Sequence, residues 1–223
     1  HRADVTPRKL AGLTAFCDGR KVMEGYVITR DSDGSGTWHT TVTTIRPDGT
    51  PTSTTVDGQS NSFVVAPDGT VYLSMESDTS AEEPTTVVAI VSTNGTVEYV
   101  PLDGIRYGDP VTGGANAFQV TRADFSSART VMAITPDGVF PTEIDGDVSG
   151  LTAWPDGSAY FLTTDYSNET PTTQLHVIEP DGVTHHALTV PGAPRTGPTF
   201  TEDGDVVLTT YTATGIHTTT LER

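Results

Sequence analysis

Asp31-Ser32-Asp33-Gly34-Ser35-Gly36 is the segment whose residue types and spacing come closest to a metal site. Hard oxygen ligands two residues apart, on a chain bent by glycine, can converge on Ca²⁺. Asp31, Asp33 and Ser35 are the candidate ligands; no cofactor is expected, and Ca²⁺ is the one the sequence admits. The twelfth position counted from Asp31 is Val42, where an EF-hand needs Glu, so the segment is not an EF-hand. A loop rich in Asp, Ser and Gly explains the same residues through turn chemistry. The 6 histidines offer no second site. His39, His176 and His217 fall on different expected strands, and adjacent His185 and His186 point to opposite faces of one strand, so no zinc centre is expected. Cys17 is the only cysteine, which rules out a disulfide within the chain. No G-x-S-x-G, Walker, Rossmann or H-E-x-x-H pattern is present.

Charge removes further classes. Against 29 Asp and Glu stand 12 Lys and Arg, a formal net charge of −17. Nucleic-acid binding needs clustered Lys and Arg on one face, so it is excluded, and anionic membrane surfaces are disfavoured for the same reason. No apolar run is long enough for a membrane span, so membrane insertion is not expected. The 41 threonines and 22 glycines point to strands separated by turns. Apolar residues come in short runs such as Val87-Val88-Ala89-Ile90-Val91, with no sustained helical period.

The elements that would position any site are set by a repeat. Pro-Asp-Gly occurs at 47–49, 67–69, 136–138, 155–157 and 180–182, with relatives at Cys17-Asp18-Gly19, Thr93-Asn94-Gly95 and Glu202-Asp203-Gly204. Each lies between β-rich runs and reads as a hairpin turn. One set of turns, at Asp48, Asn94, Asp137 and Asp181, recurs every 46, 43 and 44 residues. A second set interleaves with it at Asp18, Asp68, a degenerate Gly113-Gly114, Asp156 and Asp203. Two hairpins per period of about 45 residues give four strands per unit. Gly12-Leu13-Thr14-Ala15-Phe16-Cys17-Asp18-Gly19 also matches Gly150-Leu151-Thr152-Ala153-Trp154-Pro155-Asp156-Gly157.

Five such units resemble a β-propeller, in the style of NHL-like bacterial propellers and of the Thr-rich, PDGT-containing repeats of actinobacterial envelope proteins. The resemblance implies an all-β fold: a five-bladed β-propeller of four-stranded antiparallel blades. It implies one domain over 1–223, with blades near 11–58, 59–104, 105–147 and 148–192, and a last blade of 193–223 plus 1–10. Residues 5–12 parallel the link at 190–197, so the N-terminal strand is expected to complete the last blade and close the ring.

The resemblance also says where to look for function. Propeller ligands sit on the face built by the loops between second and third strands and by the links between blades. Asn61, Arg106, Tyr107, Asp109, Asp147 and Arg195 fall on the inner rim of that face and are the expected ligand-binding residues. The expected function is a non-catalytic extracellular or envelope scaffold that recognises a protein or glycan, as a monomer or a module of a larger chain. The alternative is a glycosidase-like hydrolase in the central funnel. That chemistry needs two carboxylates about 5–10 Å apart. Asp109 and Asp147 are the only candidates, because Gly12-Leu13, Asn61-Ser62, Gly150-Leu151 and Gly197-Pro198 supply none at the equivalent starts.

Overall fold

The computed structural model describes residues 10–17, 20–32, 34–46, 49–75, 84–123 and 128–222, with side chains from residue 26 onward. These residues form five antiparallel sheets in chain order. The first holds β1 (Leu10–Cys17), β2 (Arg20–Ser32), β3 (Trp38–Ile45) and β4 (Pro51–Asp57). The second holds β5 (Ser60–Val65), β6 (Val71–Met75), β7 (Thr85–Val91) and β8 (Val97–Asp103). The third holds β9 (Ile105–Gly113), β10 (Asn116–Arg122), β11 (Arg129–Thr135) and β12 (Gly138–Ile144). The fourth holds β13 (Val148–Ala153), β14 (Ala159–Asp165), β15 (Thr172–Ile178) and β16 (Thr184–Pro191).

The fifth sheet differs. β17 (Ala193–Pro194) and β18 (Thr199–Phe200) both pair with β19 (Val206–Thr212), whose other side pairs with β20 (Gly215–Leu221). Ala193 faces Tyr211 and Phe200 faces Val206, so β17 and β18 are two ends of one interrupted first strand. The sheet therefore has the first three strands of the unit and no fourth among the described residues. Leu10, expected in the last blade, instead pairs with Val27 in the first sheet. The rest of the expected closing strand, residues 1–9, lies outside the described residues, and no ring closure is seen among them.

Consecutive sheets stack face to face, which explains the apolar runs. On β6, Val71, Leu73 and Met75 pack with Tyr26, Ile28 and Val42 of the first sheet. Tyr72, on the opposite face, packs with Ala117, Met132 and Ile134 of the third. A strand covered on both faces carries no polar alternation, and all of β6 is buried. Phe118 and Phe161 join the third and fourth sheets, and Leu162, Val206 and Leu208 join the fourth and fifth. At about 1.5–3 kcal/mol per fully buried large apolar side chain, these four interfaces supply the main drive to fold.

The Pro-Asp-Gly signal is turn chemistry of a defined kind. At 66–70, Gly69 N–H donates to Ala66 O at 2.9 Å, and Ala66 N–H to Thr70 O at 2.8 Å. This is a type I turn closed by a residue with φ of +88°, which glycine adopts at no steric cost. The Asp68 carboxylate accepts from Thr70 N–H at 2.9 Å, and Asn94, Asp156 and Asp181 accept in the same way from Thr96, Ser158 and Val183. Much of the acidic signal in the repeat is therefore turn capping. The hairpin at 135–138 departs from it: Thr135 pairs directly with Gly138 across a two-residue loop.

Candidate functional site

A second repeat feature, invisible as a motif, frames the site. The buried Thr40, Thr86 and Thr173 hydroxyls donate to the carbonyls of Gly58, Gly104 and Gly192 at 2.9, 2.8 and 2.7 Å. Each threonine sits near the start of a third strand. Each glycine ends the fourth strand and begins the link to the next sheet. At Gly104 a Cβ would lie 2.6 Å from Arg122 O, so the link presses on the next sheet's second strand and only glycine fits. The clasp ties the outer edge of one sheet to the start of the next.

The third sheet breaks this pattern. Thr40 faces Val56, Thr86 faces Leu102 and Thr173 faces Val190, each two residues before its glycine. By the same count Arg129, which faces Ile144, takes the threonine's place before Gly146. Arg129 is 8% exposed. Its guanidinium lies 4.2 Å from the centroid of the Tyr107 ring, with Nη2 3.2 Å from Asp147 Oδ1 and Nη1 donating to Ala128 O at 3.1 Å. Arg122 also approaches the Tyr107 ring, at 5.8 Å. Around Gly146 a Cβ would meet nothing within 4 Å, so this link is open where the others are packed.

The first strands carry the other half of the site. Pairing slips between Ser60 and Ser62 on β5, between Phe118 and Val120 opposite β9, and between Ser149 and Thr152 on β13. Bulges of this kind re-aim side chains. Asn61 sits exposed at the first, and Gly108 and Asp109 sit exposed at the second. Arg106 spans the two sheets. Its Nη1 reaches Ser62 Oγ at 3.1 Å, Gly108 O at 3.0 Å and Asp109 Oδ1 at 3.4 Å. The Gly108 carbonyl also accepts from Gln119 Nε2 at 3.3 Å. Gln119 is fully buried, and its Oε1 has no hydrogen-bond partner among the described residues.

Of the expected residues, Arg106 and Asp109 meet on the side of β9 toward the second sheet, next to Ser62 and Asn61, whereas Tyr107 and Asp147 meet through Arg129 on the side toward the fourth. The Asp109 and Asp147 side chains are 82% and 64% exposed, and each is held by its own arginine. Arg195 lies elsewhere, in the gap of the fifth sheet's first strand. Its backbone N–H donates to Thr209 O, and its guanidinium is 5.9 Å from the Tyr211 ring. Arg129 and Arg122 are the members that the motif reading passed over. The available signal was the arginine standing where Thr40, Thr86 and Thr173 align.

In the expected calcium segment, Asp31 pairs in register with His39 at the end of β2, and Ser35 Oγ meets Thr37 Oγ1 at 3.2 Å. Asp33 lies outside the described residues. Among the described residues, no group of three or more His, Cys, Asp or Glu is placed to hold a metal ion. Nor does any described helix have the length and apolarity to cross a membrane. Two histidines expected apart do meet across β15 and β16. His176 stacks on Phe161 at 4.8 Å and lies edge-on to His186 at 5.9 Å. Burial, with His186 adding to it, lowers the His176 pKa below its ordinary value.

No protein-family model matches the chain, and no curated protein resembles it in sequence. Among solved structures it is similar to the β-propeller domain of the Trilobed protease from Pyrococcus furiosus, a domain described by its open velcro topology. The TM-score is 0.60 at 9% identity, over 98% of this chain and 68% of that one. A mutant apocarotenoid oxygenase from Synechocystis gives a TM-score of 0.49 at 10% identity, over 92% of this chain and 56% of the other. The first likeness shows the fold: stacked four-stranded antiparallel sheets of the β-propeller kind.

Proposed function

We propose that this propeller is a non-catalytic binding scaffold that takes a protein or glycan ligand on the inner rim of its third sheet. In this reading it works outside the cytoplasm or in a cell envelope, as a monomer or as one module of a longer chain. The observation that supports it most is Arg129. A buried guanidinium costs several kcal/mol in desolvation unless it is well paired. The same backbone position is served elsewhere by a threonine that ties the link at no such cost. A costly departure from the repeat, beside an open link and two bulged strands, is what a site grafted on a stiff frame looks like. Arg106 with Asp109 and Arg129 with Asp147 place charged groups on the two sides of β9, and Tyr107 supplies a ring beside Arg129. That mixture suits hydroxyl-rich or polar surfaces.

The same reading takes the five sheets as five blades. Residues 1–9 then add the outer strand beside β20 and close the ring. Supporting it are the exposed outer side of β20 and the parallel between residues 5–12 and 190–197. The Trilobed protease domain, with its open velcro topology, is the contrasting case.

Glycan-array binding of the full chain, repeated with Arg129→Thr and Tyr107→Ala, tests the site. Ligands retained by the wild type and lost by both folded variants are expected. Binding unchanged in both would remove the third sheet from the function. A panel of chromogenic glycosides serves as the check on chemistry: turnover abolished by Asp109→Asn would make the protein a hydrolase.

A further inference from the structure

The end of the molecule opposite the rim, where the Pro-Asp-Gly hairpins turn, carries a separate groove. It runs between the second and third sheets and has a volume of about 490 Å³. Apolar residues line both walls, Ile90 and Val100 on one side and Ile134, Pro136 and Val139 on the other, interspersed with polar ones such as Thr70, Ser92 and Thr135. Tyr72 lines it with its hydroxyl donating to Ala115 O at 3.0 Å, which bridges the two sheets. Asp68 and Glu98 complete the lining. Asp68 caps its own turn through Thr70. Glu98 makes no hydrogen bond or ion pair among the described residues.

The two carboxylates act on the groove's interior. The Tyr72 phenol is pushed above its ordinary pKa by burial first, then by Asp68 and Glu98. Their field therefore reaches the hydroxyl between the sheets. The equivalent groove between the fourth and fifth sheets, of about 520 Å³, is different. There Glu179 lies 3.7 Å from His185 Nδ1, and Phe200 packs edge-on against Tyr160 at 5.3 Å. In that groove Glu179 has a histidine beside it, whereas Glu98 has no such contact among the described residues.

We propose that the groove between the second and third sheets is a docking site for a basic segment of a partner protein. A lysine or arginine lays its aliphatic stem along Ile90, Val100 and Val139 and carries its charge to Glu98 and Asp68. The match is one of charge and shape. Long basic side chains bury apolar stems while keeping a charged head at a polar rim. A net charge of −17 draws cationic partners to this protein and repels anionic ones. The site is independent of the rim: it shares no residue with Arg106, Tyr107 or Arg129.

The test is an NMR titration of the full chain with an acetylated, amidated Leu-Lys-Leu peptide, against the same peptide with norleucine for lysine. Amide shifts are expected at Tyr72, Ile90, Glu98 and Val139. The norleucine peptide and a Glu98→Gln/Asp68→Asn variant should each bind at least about ten-fold more weakly, since the charge pair is lost. Asn at 68 keeps the turn, as Asn94 accepts from Thr96 N–H at 2.9 Å in the same geometry. Equal binding of the two peptides, shifts centred on the rim, or no shift at about 10 mM, the weak limit of a single-side-chain contact, would each overturn the proposal.

Discussion

Replacing Arg129 by threonine returns the third sheet to the repeat, and the structure lets the outcome be worked through. The hydrogen bond from Nη1 to Ala128 O at 3.1 Å is lost, worth about 1.5–3 kcal/mol for a charged donor, together with three further terms. The ion pair reaches a carboxylate that is 64% exposed, so it is worth no more than about 1 kcal/mol. The contact with the Tyr107 ring at 4.2 Å is worth about 0.5–2 kcal/mol. Some packing of the arginine stem is lost as well. Against these stand relief of the desolvation of a guanidinium that is 8% exposed, and a new hydroxyl bond to the Gly146 carbonyl worth about 0.5–1.5 kcal/mol. The gains and losses are of similar size, so Arg129→Thr should lie within about 2 kcal/mol of the wild type. Arg129→Ala gains no clasp and should fall below the threonine variant by about 1 kcal/mol. Urea unfolding at unchanged slope reads both differences as midpoint shifts. Thr86→Ala calibrates the clasp, because it strands the Gly104 carbonyl and should cost about 1–3 kcal/mol. A loss above about 4 kcal/mol in Arg129→Thr, the range of core disruption, would show that the arginine is a structural strut. The argument for a site on the third sheet would then fail.

Three other outcomes follow from particular residues. His176 has its pKa lowered in the fold by burial, so the folded state binds fewer protons there than the unfolded chain. The stability this neutral ring provides is present above the unfolded value near 6.5 and is lost as pH falls through the folded value; acid melts should show it, and His176→Phe should flatten that slope. Deleting residues 1–8 should lower the melting temperature by several degrees if they complete the last sheet, and an unchanged transition would show that the ring is open. Calcium, if it binds, binds at Asp31 and Asp33: calorimetric heat with Ca²⁺ should then vanish in Asp31→Ala, and no heat at about millimolar calcium, the weak end of extracellular calcium modules, would end that assignment.

The strand inventory was legible because its causes are local. Pro-Asp-Gly sets a type I turn with a left-handed glycine, the Asp side chain caps it, and runs such as Val87–Val91 have no polar face because both faces are covered. The turns need no distant residue, so their spacing alone recovers four strands per unit. Arg106, Tyr107 and Asp109 were legible only as neighbours in sequence at the start of a first strand. What they do depends on contacts made across sheets, and tertiary structure decided those. Arg106 bonds to Ser62 from the preceding sheet, 44 residues away, and Arg129 reaches Tyr107 and Asp147 from a third strand. The bulges that expose Asn61 and Asp109 leave no residue signature beyond Gly108. The Thr-to-Gly clasp joins residues 18 or 19 apart that belong to no motif. It became a pattern only when the register showed Thr40, Thr86, Arg129 and Thr173 standing in one place. Turn chemistry is written within four or five residues, whereas a site assembled from bulges and buried exceptions exists only once the sheets have packed.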